Sequence, residues 1–169
     1  SDGDGNSTIS GASFVDSFDV SGQDTAPLDI SFNNDGTKMF VLGGTGKDVN
    51  EYTLSTGFDV STASFVDSFS VNSQETAPKS ISFNNDGTKM FILGSEGDDV
   101  NEYTLSTGFD VSTASFVDSF DVSSNATNPQ AVTFNNDGTK MFVTDTFNKN
   151  VNEYTPVSYT HLRAHETTD

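Results

Sequence analysis

Short segments of alternating polar and apolar residues dominate the chain and predict β-strands. Residues 28–32 (LDISF), 38–42 (KMFVL) and 48–54 (DVNEYTL) are rich in β-forming residues, and residues 13–20 (SFVDSFDV) predict a further strand. Between the first two segments, residues 33–36 (NNDG) tolerate a positive φ and predict a hairpin turn. No window shows the i, i+3, i+4, i+7 apolar stripe of a helix, so we expect an all-β fold.

This pattern recurs with a period of 51 residues. SFVDSF starts at Ser13, Ser64 and Ser115, and the first two copies differ at only 10 of 51 positions. Such periodicity indicates a repeat architecture, in which each unit buries its apolar face against its neighbours. We divide the chain into an acidic Gly- and Ser-rich linker at residues 1–12, three tandem repeats and a C-terminal tail at residues 156–169. The repeats are residues 13–63, 64–114 and 115–155, and the third is truncated.

Four strand signals in each repeat are typical of a β-propeller blade. FNNDGTKMFVL at 32–42 and VNEYTL at 49–54 resemble the hairpin and following strand of the broad YVTN, NHL and WD40-like class of propellers. The resemblance implies four-stranded antiparallel blades, with a β-solenoid as the alternative. Because propellers close with roughly four to eight blades, we expect a three-blade part of a larger ring, completed by further blades of the same chain or by self-association. The strand phenylalanines are expected to form the core between blades: Phe14, Phe18, Phe32, Phe40 and their copies.

The two ends of the chain differ from the repeats. Residues 156–167 (PVSYTHLRAHET) resemble the translation of an adapter used in sequencing libraries, which predicts a non-native tail on a metagenomic gene fragment. This tail contains Arg163, His161 and His165, the only arginine and histidines of the chain. The start shows no apolar signal-peptide region, and we expect the N-terminus to be incomplete.

The composition is strongly acidic, with 25 Asp and Glu against seven Lys and Arg, and contains no cysteine. A net charge of −18 repels polyphosphates, so we expect no nucleic-acid partner. The lack of cysteine excludes disulfides and thiolate sites, and no apolar run is long enough for membrane insertion. Such a charge suits an extracellular, cell-surface or virion-associated protein, which is the localisation that we expect.

Catalytic chemistry has few candidates in the repeats. Residues 1–155 contain no histidine or cysteine, so neither a Ser-His nor a Cys-His pair can form there. We therefore predict a chain that is not an enzyme and has no cofactor. Two alternatives stay open: part of an enzyme whose catalytic residues lie in further blades, and a structural spacer without a ligand.

Calcium is the one cofactor that the sequence leaves open. Asp2, Asp4 and Asn6 are spaced like the first ligands of an EF-hand loop, but Ser7 and Ser13 stand where that loop needs a glycine and a bidentate glutamate. The repeated NNDGTK motif also offers side-chain oxygens, although a hairpin turn needs the same residues. We expect a flexible linker and structural turns.

The differences between the copies gather in two windows, residues 19–29 and 41–47. In a four-stranded blade these windows form loops on one face, whereas the unchanged NNDGTK and STGFDVSTA segments lie on the other. Loops on a rigid frame commonly carry function, so we predict a non-catalytic binding or scaffold module with a protein or glycan ligand; neutral drift after duplication is the alternative. The candidate ligand-binding residues are Asp24, Asp29, Lys47, Glu75, Lys79, Glu96, Asp98, Gln130, Asp145, Phe147 and Lys149.

Overall fold

The computed structural model describes residues 9–157, and this part of the chain is built from antiparallel β-strands. Its strands are β1 (Pro27–Phe32), β2 (Lys38–Gly43), β3 (Asp48–Leu54), β4 (Ala63–Ser70), β5 (Pro78–Phe83), β6 (Lys89–Gly94), β7 (Asp99–Leu105), β8 (Ala114–Asp121), β9 (Pro129–Phe134), β10 (Met141–Asp145) and β11 (Asn150–Tyr154). The helical elements within residues 9–157 are three single-turn 3-10 segments: Ile9–Gly11, Val60–Thr62 and Val111–Thr113. No helix in this described range has the length and apolar content that crossing a membrane requires.

The strands form three separate sheets, each a simple antiparallel meander. β1 to β4 and β5 to β8 form four-stranded sheets, and β9 to β11 form a three-stranded sheet. Neighbouring sheets approach each other mainly through β1, β5 and β9, so the first strand of each sheet lies innermost. Sheets placed side by side around their first strands are blades of a β-propeller, which confirms the predicted fold class rather than the solenoid alternative.

Each four-stranded sheet takes its last strand from the next sequence repeat. β4 begins at Ala63 and pairs with β3, although its SFVDSF motif opens the second repeat of the sequence. The same offset joins β8 to β7. The sequence period therefore gives the length of a blade, whereas strand pairing decides the residue at which each blade begins.

The first SFVDSFDV motif is not a strand, contrary to the prediction for residues 13–20. In the other two copies this motif pairs with the VNEYT strand that precedes it in the sequence. No strand of the described range precedes Ser13, so the motif has no ladder partner and stays irregular. Phe14 is 83% exposed, and its copies Phe65 and Phe116 are 45% and 43% exposed even within their strands, which corrects the assignment of this position to the core between blades.

The NNDG segment forms the turn between β1 and β2, as predicted. Gly36 has a φ of 72°, and the Oδ1 of Asn33 accepts a hydrogen bond from the backbone N–H of Lys38 at 2.9 Å. Asp35 accepts hydrogen bonds from both the backbone N–H and the hydroxyl of Thr37. Equivalent bonds recur in the other two blades. The Oδ1 atoms of Asn33 and Asp35 are therefore engaged within the turn.

The hydrophobic core lies between the blades. Phe40 and Phe83 of adjacent blades hold their ring centroids 4.6 Å apart, and Phe91 and Phe134 repeat this contact at 4.5 Å. Burial of one such side chain contributes about 1.5–3 kcal/mol, so stacking of blades stabilises the fold. The cluster that joins the first two blades contains Phe40, Leu42, Val49, Val71, Ile81, Met90, Ile92, Tyr103, Leu105 and Val111.

Candidate functional site

In the first blade, one carboxylate joins the two varied windows. Asp24 lies in the loop before β1 and accepts hydrogen bonds from the backbone N–H groups of Ala26 and Gly46, each at 2.6 Å, and of Thr45 at 3.3 Å. Gly46 and Thr45 belong to the turn between β2 and β3. The structure therefore brings both windows together at one end of the blade.

The second blade repeats this arrangement with a longer side chain. Glu75 accepts hydrogen bonds from the backbone N–H of Ala77 at 2.6 Å and from those of Glu96 and Gly97 at 3.3 Å each. These three donors are 51 residues after those that bind Asp24. The carboxylate of Glu75 is buried like that of Asp24.

In the third blade the carboxylate comes from the other window. Ala126 occupies the position of Asp24 and Glu75, and Asp145 at the end of β10 supplies the acceptor instead. Asp145 binds the backbone N–H of Asn128 at 3.0 Å and those of Phe147 and Asn148 at 3.1 Å each. These are again the three equivalent donors, so the same N–H groups are bound in all three blades, although the accepting carboxylate comes from a different position in the third.

Two glycines make room for the loop carboxylate in the first two blades. Gly43 and Gly94 occupy the position of Asp145. A Cβ on Gly43 would collide with the carboxylate of Asp24, and one on Gly94 would collide with Glu75. A blade therefore accommodates an acid at one of these two positions and a small residue at the other.

Hydrogen bonds lower the pKa of the bound carboxylates in the first and third blades. Burial by itself raises the pKa of Asp24, but the hydrogen bonds from Gly46, Ala26 and Thr45 outweigh it and leave the pKa below its ordinary value. The pKa of Asp145 is lowered in the same way, because bonds from Phe147 and other donors outweigh burial. The candidates Asp24, Glu75 and Asp145 thus lie buried as internal supports of the loops.

The accessible part of the site is the turn between the second and third strands of each blade. Its last residue has a positive φ in every blade, 52° at Lys47, 48° at Asp98 and 58° at Lys149. Glu96, Phe147 and Lys149 are exposed, and Lys47 and Asp98 are half-buried. We call these turns, together with the loops that precede β1, β5 and β9, the varied face.

The lysines that are free of ion pairs lie on the varied face or, for Lys79, on the adjoining strand β5. One lysine of each blade pairs with a glutamate on the third strand: Lys38 with Glu51, Lys89 with Glu102 and Lys140 with Glu153. Lys47, Lys79 and Lys149 form no ion pair within residues 9–157. Within the described residues, the lysines without an acidic partner are therefore gathered at or next to this face.

Asp98 is surrounded by other acids at this face. Burial, followed by the nearby carboxylates of Asp121, Glu75 and Asp145, raises the pKa of Asp98 above its ordinary value. Its Oδ1 is buried and has no hydrogen-bond partner. No group of three or more metal-ligating side chains occurs in the described part of the chain, and calcium remains a prediction of the sequence alone.

Three candidates lie on the innermost strands instead of in the loops. Asp29 of β1 accepts a hydrogen bond from the backbone N–H of Ile81 in the next blade at 2.9 Å. Lys79 lies in β5, and Gln130 lies in β9, where its side chain donates to the Oδ1 of Asn128. Asp29 thus joins blades and faces an inner groove.

This inner groove has a volume of about 410 Å³ and runs along β1, β5 and β9. Its polar lining is made mainly of hydroxyl and amide groups, including those of Ser31, Ser82, Asn84 and Thr133. No lysine or arginine lines it. The groove therefore offers hydrogen bonds but no positive charge for an anionic ligand.

The face opposite the varied loops is engaged in contacts between blades. Asn34 donates to the backbone carbonyl of Asn85 at 2.8 Å, and Asn85 donates to that of Asn136 at 2.7 Å. Lys38 donates to the carbonyl of Phe109 at 2.6 Å. The unchanged segments of the repeat therefore act as structural connections, which explains their uniformity without a ligand.

The sequence prediction missed that the buried acid changes position in the third blade, where Ala126 replaces the acid of the loop and Asp145 replaces the glycine of the strand. Both positions lie in or next to the varied windows, but the prediction treated each difference between copies separately. Alignment of the three copies shows the signal: where the strand position is Gly43 or Gly94 the loop position is an acid, and where it is Asp145 the loop position is Ala126. The weak calcium candidates Asp2, Asp4 and Asn6, and residues 158–169 of the tail, lie outside the described residues.

No protein-family model and no curated protein sequence matches the chain. Solved β-propeller structures do match it in three dimensions. The periplasmic gluconolactonase of Pseudomonas aeruginosa is 13% identical with a TM-score of 0.59, and the match covers 79% of this chain and 36% of that one. The Swd1 β-propeller domain of Myceliophteria thermophila is 7% identical with a TM-score of 0.56, covering 76% of this chain and 39% of that one.

A chain of the mitotic checkpoint complex also matches, at 10% identity and a TM-score of 0.56, over 77% of this chain and 36% of its own length. The chain thus spans somewhat more than a third of these structures. At such identities the likeness shows the fold alone. It includes both enzymes and propellers of the WD40 type, so the fold by itself does not select a function.

Proposed function

We propose that the chain is a non-catalytic interaction module that binds its ligand at the varied face. The observation that carries this proposal is that the two faces of the blades differ: one carries most of the differences between the repeats, and the other carries contacts between blades. Most differences between the repeats lie in loops that buried carboxylates hold together, and the others lie in the strands next to these loops, while unchanged segments join blade to blade. Rigid support beneath variable loops is the usual basis of a binding surface.

The chemistry of the varied face favours a protein ligand over a glycan. Phe147 is an exposed aromatic side chain at the tip of a turn, and Leu28 is a further exposed apolar residue beside another turn. Lys47 and Lys149 lie without ion pairs in two of the same turns, and Lys79 lies in the adjoining strand β5. Aromatic anchors within a polar rim are typical of protein interfaces, so we expect a partner with an apolar pocket bordered by acidic groups.

The setting that we propose is extracellular or on a cell or virion surface, where the net charge of −18 keeps the module soluble and prevents nonspecific association. The three blades present an arc of loops. Further blades of the same chain, or a second copy, extend this arc and enlarge the binding surface.

The test is a selection of binding partners followed by exchange of loops. A phage-displayed peptide library and an immobilised glycan panel are probed with the 169-residue chain. The leading probe is then measured against chains in which residues 44–47 and 95–98 are exchanged, and against Phe147→Ala. We expect a peptide to bind, with affinity lowered at least about tenfold by Phe147→Ala.

The matched control is Phe58→Ala, because Phe58 is also an exposed phenylalanine, at 61% against 74% for Phe147, and lies at the opposite end of a blade. It is expected to leave the affinity unchanged. Binding that survives every loop exchange, or that is lost only with Phe58→Ala, contradicts the proposal. Failure of both libraries to yield a probe favours the structural spacer.

An enzyme of the lactonase type is the second candidate, because a gluconolactonase shares the fold. The inner groove is the place for such a site, but it lacks a basic residue for a phosphorylated substrate. Hydrolysis of gluconolactone and of 6-phosphogluconolactone, followed by pH-stat titration, tests this candidate. Turnover above the background rate that is lost in Asp29→Asn would replace the binding proposal with the enzymatic one.

A further inference from the structure

The loop before β9 contains a sequence that N-linked glycans require. Residues 125–127 read Asn-Ala-Thr, which matches the pattern Asn-x-Ser/Thr with a middle residue other than proline. The equivalent positions read Gln-Asp-Thr at 23–25 and Gln-Glu-Thr at 74–76. Within residues 9–157, no other asparagine stands two residues before a serine or threonine. The pattern therefore occurs in one blade and at one place in the described range.

The middle residue of this sequence does not fasten the loop as its equivalents do. In the first two blades the middle residue is the buried acid that binds the turn between the second and third strands. In the third blade Asp145 supplies that carboxylate from β10, and Ala126 has no polar side chain. The side chains of residues 125–127 are thus released from the support of the loop.

The side chain of Asn125 is not engaged by the protein. Tyrosine hydroxyls of the first two blades donate to the equivalent residues Gln23 and Gln74 at 3.2 and 3.4 Å. The side chain of Asn125 is one methylene shorter, and the buried hydroxyl of Tyr154 has no hydrogen-bond partner within the described residues. The side-chain amide of Asn125 likewise forms no hydrogen bond within residues 9–157.

Both residues that define the pattern are accessible. Asn125 and Thr127 are exposed. The same loop is exposed in the second blade, at Asn72, Ser73 and Thr76, although a blade packs on each side of it. Exposure is therefore a property of this loop and does not depend on the place of the blade in the array.

The backbone of the loop is held independently of the Asn125 side chain. The N–H groups of Asn125 and Ala126 donate to the carbonyl of Val122 at 2.9 and 2.7 Å. The carbonyl of Asn125 accepts a hydrogen bond from the side chain of Asn152 at 3.2 Å. A substituent on the Nδ2 atom of Asn125 therefore displaces no hydrogen bond of the described residues.

We propose that Asn125 is an N-glycosylation site, so that the third blade carries an oligosaccharide on the varied face. The sugar donor is an oligosaccharide joined to a polyprenyl diphosphate. The Nδ2 atom forms a bond to the anomeric carbon, and the bond between that carbon and the diphosphate oxygen breaks. The diphosphate leaves with the electron pair of that bond, and one amide proton passes to a base of the transferase.

This modification goes beyond the proposed binding of a ligand. It rests on the extracellular setting proposed above, because the transferase meets only chains that are exported. It does not depend on what the varied face binds. The hydroxyl of Thr127 completes the sequence that the transferase recognises, and the exposed loop leaves room for the attached sugar.

Secretion from eukaryotic host cells tests the site by mass. The 169-residue chain is produced behind a cleavable signal peptide, and its intact mass is compared before and after treatment with peptide-N-glycanase. This enzyme converts the asparagine that carried the glycan to aspartate, so a peptide map identifies the position. Residues 6–8 (NST) also match the pattern and lie outside the described residues, so Asn6→Gln removes this second sequence. We expect the Asn6→Gln chain to carry one glycan, at residue 125.

Substitutions in the Asn6→Gln chain separate the pattern from its surroundings. Asn125→Gln is expected to abolish the glycan, and it restores the glutamine of the other two blades, so the fold is expected to be preserved. Thr127→Ala is expected to abolish the glycan as well, whereas Thr127→Ser is expected to retain it. The matched control is Asn128→Gln, because Asn128 is an exposed asparagine of the same loop that precedes a proline. It is expected to leave the glycan unchanged.

Thermal unfolding tests whether the folded loop accommodates the glycan. The glycosylated Asn6→Gln chain is compared with the same chain made without glycan in a bacterial cytoplasm. We expect equal midpoints, because the Nδ2 atom of Asn125 loses no partner when the sugar is attached. A lower midpoint for the glycosylated chain contradicts an accessible site in the folded state.

Two further outcomes overturn the proposal. A secreted Asn6→Gln chain with the mass of the unmodified polypeptide shows that Asn125 is not accepted by the transferase. A mass sensitive to peptide-N-glycanase that persists in Asn125→Gln shows that the glycan lies elsewhere. Neither readout involves the ligand of the varied face, so failure of this site and failure of the binding proposal are distinguished.

Discussion

Single carboxylates shape the loops of the varied face. Each blade offers three backbone N–H groups from the two windows, and a single acid accepts a hydrogen bond from each of them. Asp24 and Glu75 approach from the loop, and Asp145 approaches from the strand. What the three blades share is therefore the set of backbone donors, because an unsatisfied buried N–H group costs free energy whichever residue is beside it.

The exchange of the acid between the two positions can be reproduced in the second blade. Glu75→Ala removes the acceptor, and Gly94→Asp places a second side chain against Glu75. We expect each single substitution to lower the free energy of unfolding by about 1–3 kcal/mol. The double variant recreates the third blade and is expected to recover most of this loss, which urea denaturation measures. Additive losses in the double variant would contradict this account.

Asp98 provides a prediction of pH dependence. Burial and neighbouring acids raise its pKa, so the folded state disfavours its charged form. Its contribution to stability is present below the pKa of the unfolded chain, about 3.9, and is lost as the pH rises through the raised folded pKa. Asp98→Asn is therefore expected to raise the urea midpoint at about pH 7 and to change it little at about pH 3.

Asparagine suits this position because it tolerates the positive φ of Asp98. The comparison of the two pH values in the same variant removes any general effect of the substitution. An equal rise of the urea midpoint at both pH values would show that electrostatic repulsion is not its cause.

Among the strands, each blade has one lysine–glutamate ion pair, and its contribution to stability depends on whether another blade packs beside it. In the first blade, buried Glu51 accepts from Lys38 at 3.3 Å and from the backbone N–H of Val111 in the next blade at 2.9 Å. In the third blade, Glu153 accepts from Lys140 at 3.0 Å at the exposed surface. The same two residues thus act as a connection between blades in one place and as a surface ion pair in another.

Identical substitutions in the two pairs are expected to differ in effect. Glu51→Ala leaves the buried N–H of Val111 without its acceptor and Lys38 with only the carbonyl of Phe109, and it is expected to cost about 2–4 kcal/mol. Glu153→Ala is expected to cost at most about 0.5 kcal/mol, because exposed ion pairs contribute little. Urea denaturation at a concentration where the chain is monomeric compares them. Equal costs would show that the pair has no role between blades.

The strands and turns of this fold follow closely from local sequence. LDISF, KMFVL and VNEYT form strands, and NNDG forms the turn with Gly36 at a positive φ, because alternation and turn chemistry involve only neighbouring residues. SFVDSFDV is different, since the same residues are a strand in two copies and irregular in the first. A strand needs a partner, and the partner of this motif comes from a preceding blade.

At the scale of the whole molecule, the net charge of −18 opposes compaction. Most acids lie on the surface without a basic partner, and only three ion pairs form within residues 9–157. The blades therefore stack against a repulsion that dissolved salt can screen. This repulsion acts on folding and on association alike.

We expect the thermal midpoint to rise when sodium chloride is increased from about 20 mM to about 500 mM, because the Debye length falls well below the dimensions of the molecule. Calorimetry or circular dichroism measures the shift. An equivalent ionic strength of a second monovalent salt serves as the control for specific ion binding. A midpoint that is independent of salt, or that falls, would show that repulsion between surface acids does not limit stability.

The all-β class, the turns, the 51-residue period and the strands other than residues 13–20 are predictable from the sequence, because they depend on residues that are close along the chain. The sequence also located the two varied windows. The packing of the blades was needed to show that Asp24, Glu75 and Asp145 are buried supports, that Asp29 joins blades, and that Phe147 and Lys149 remain accessible. The physical reason is that repeats with nearly the same sequence acquire different burial and partners according to the blade that lies beside them.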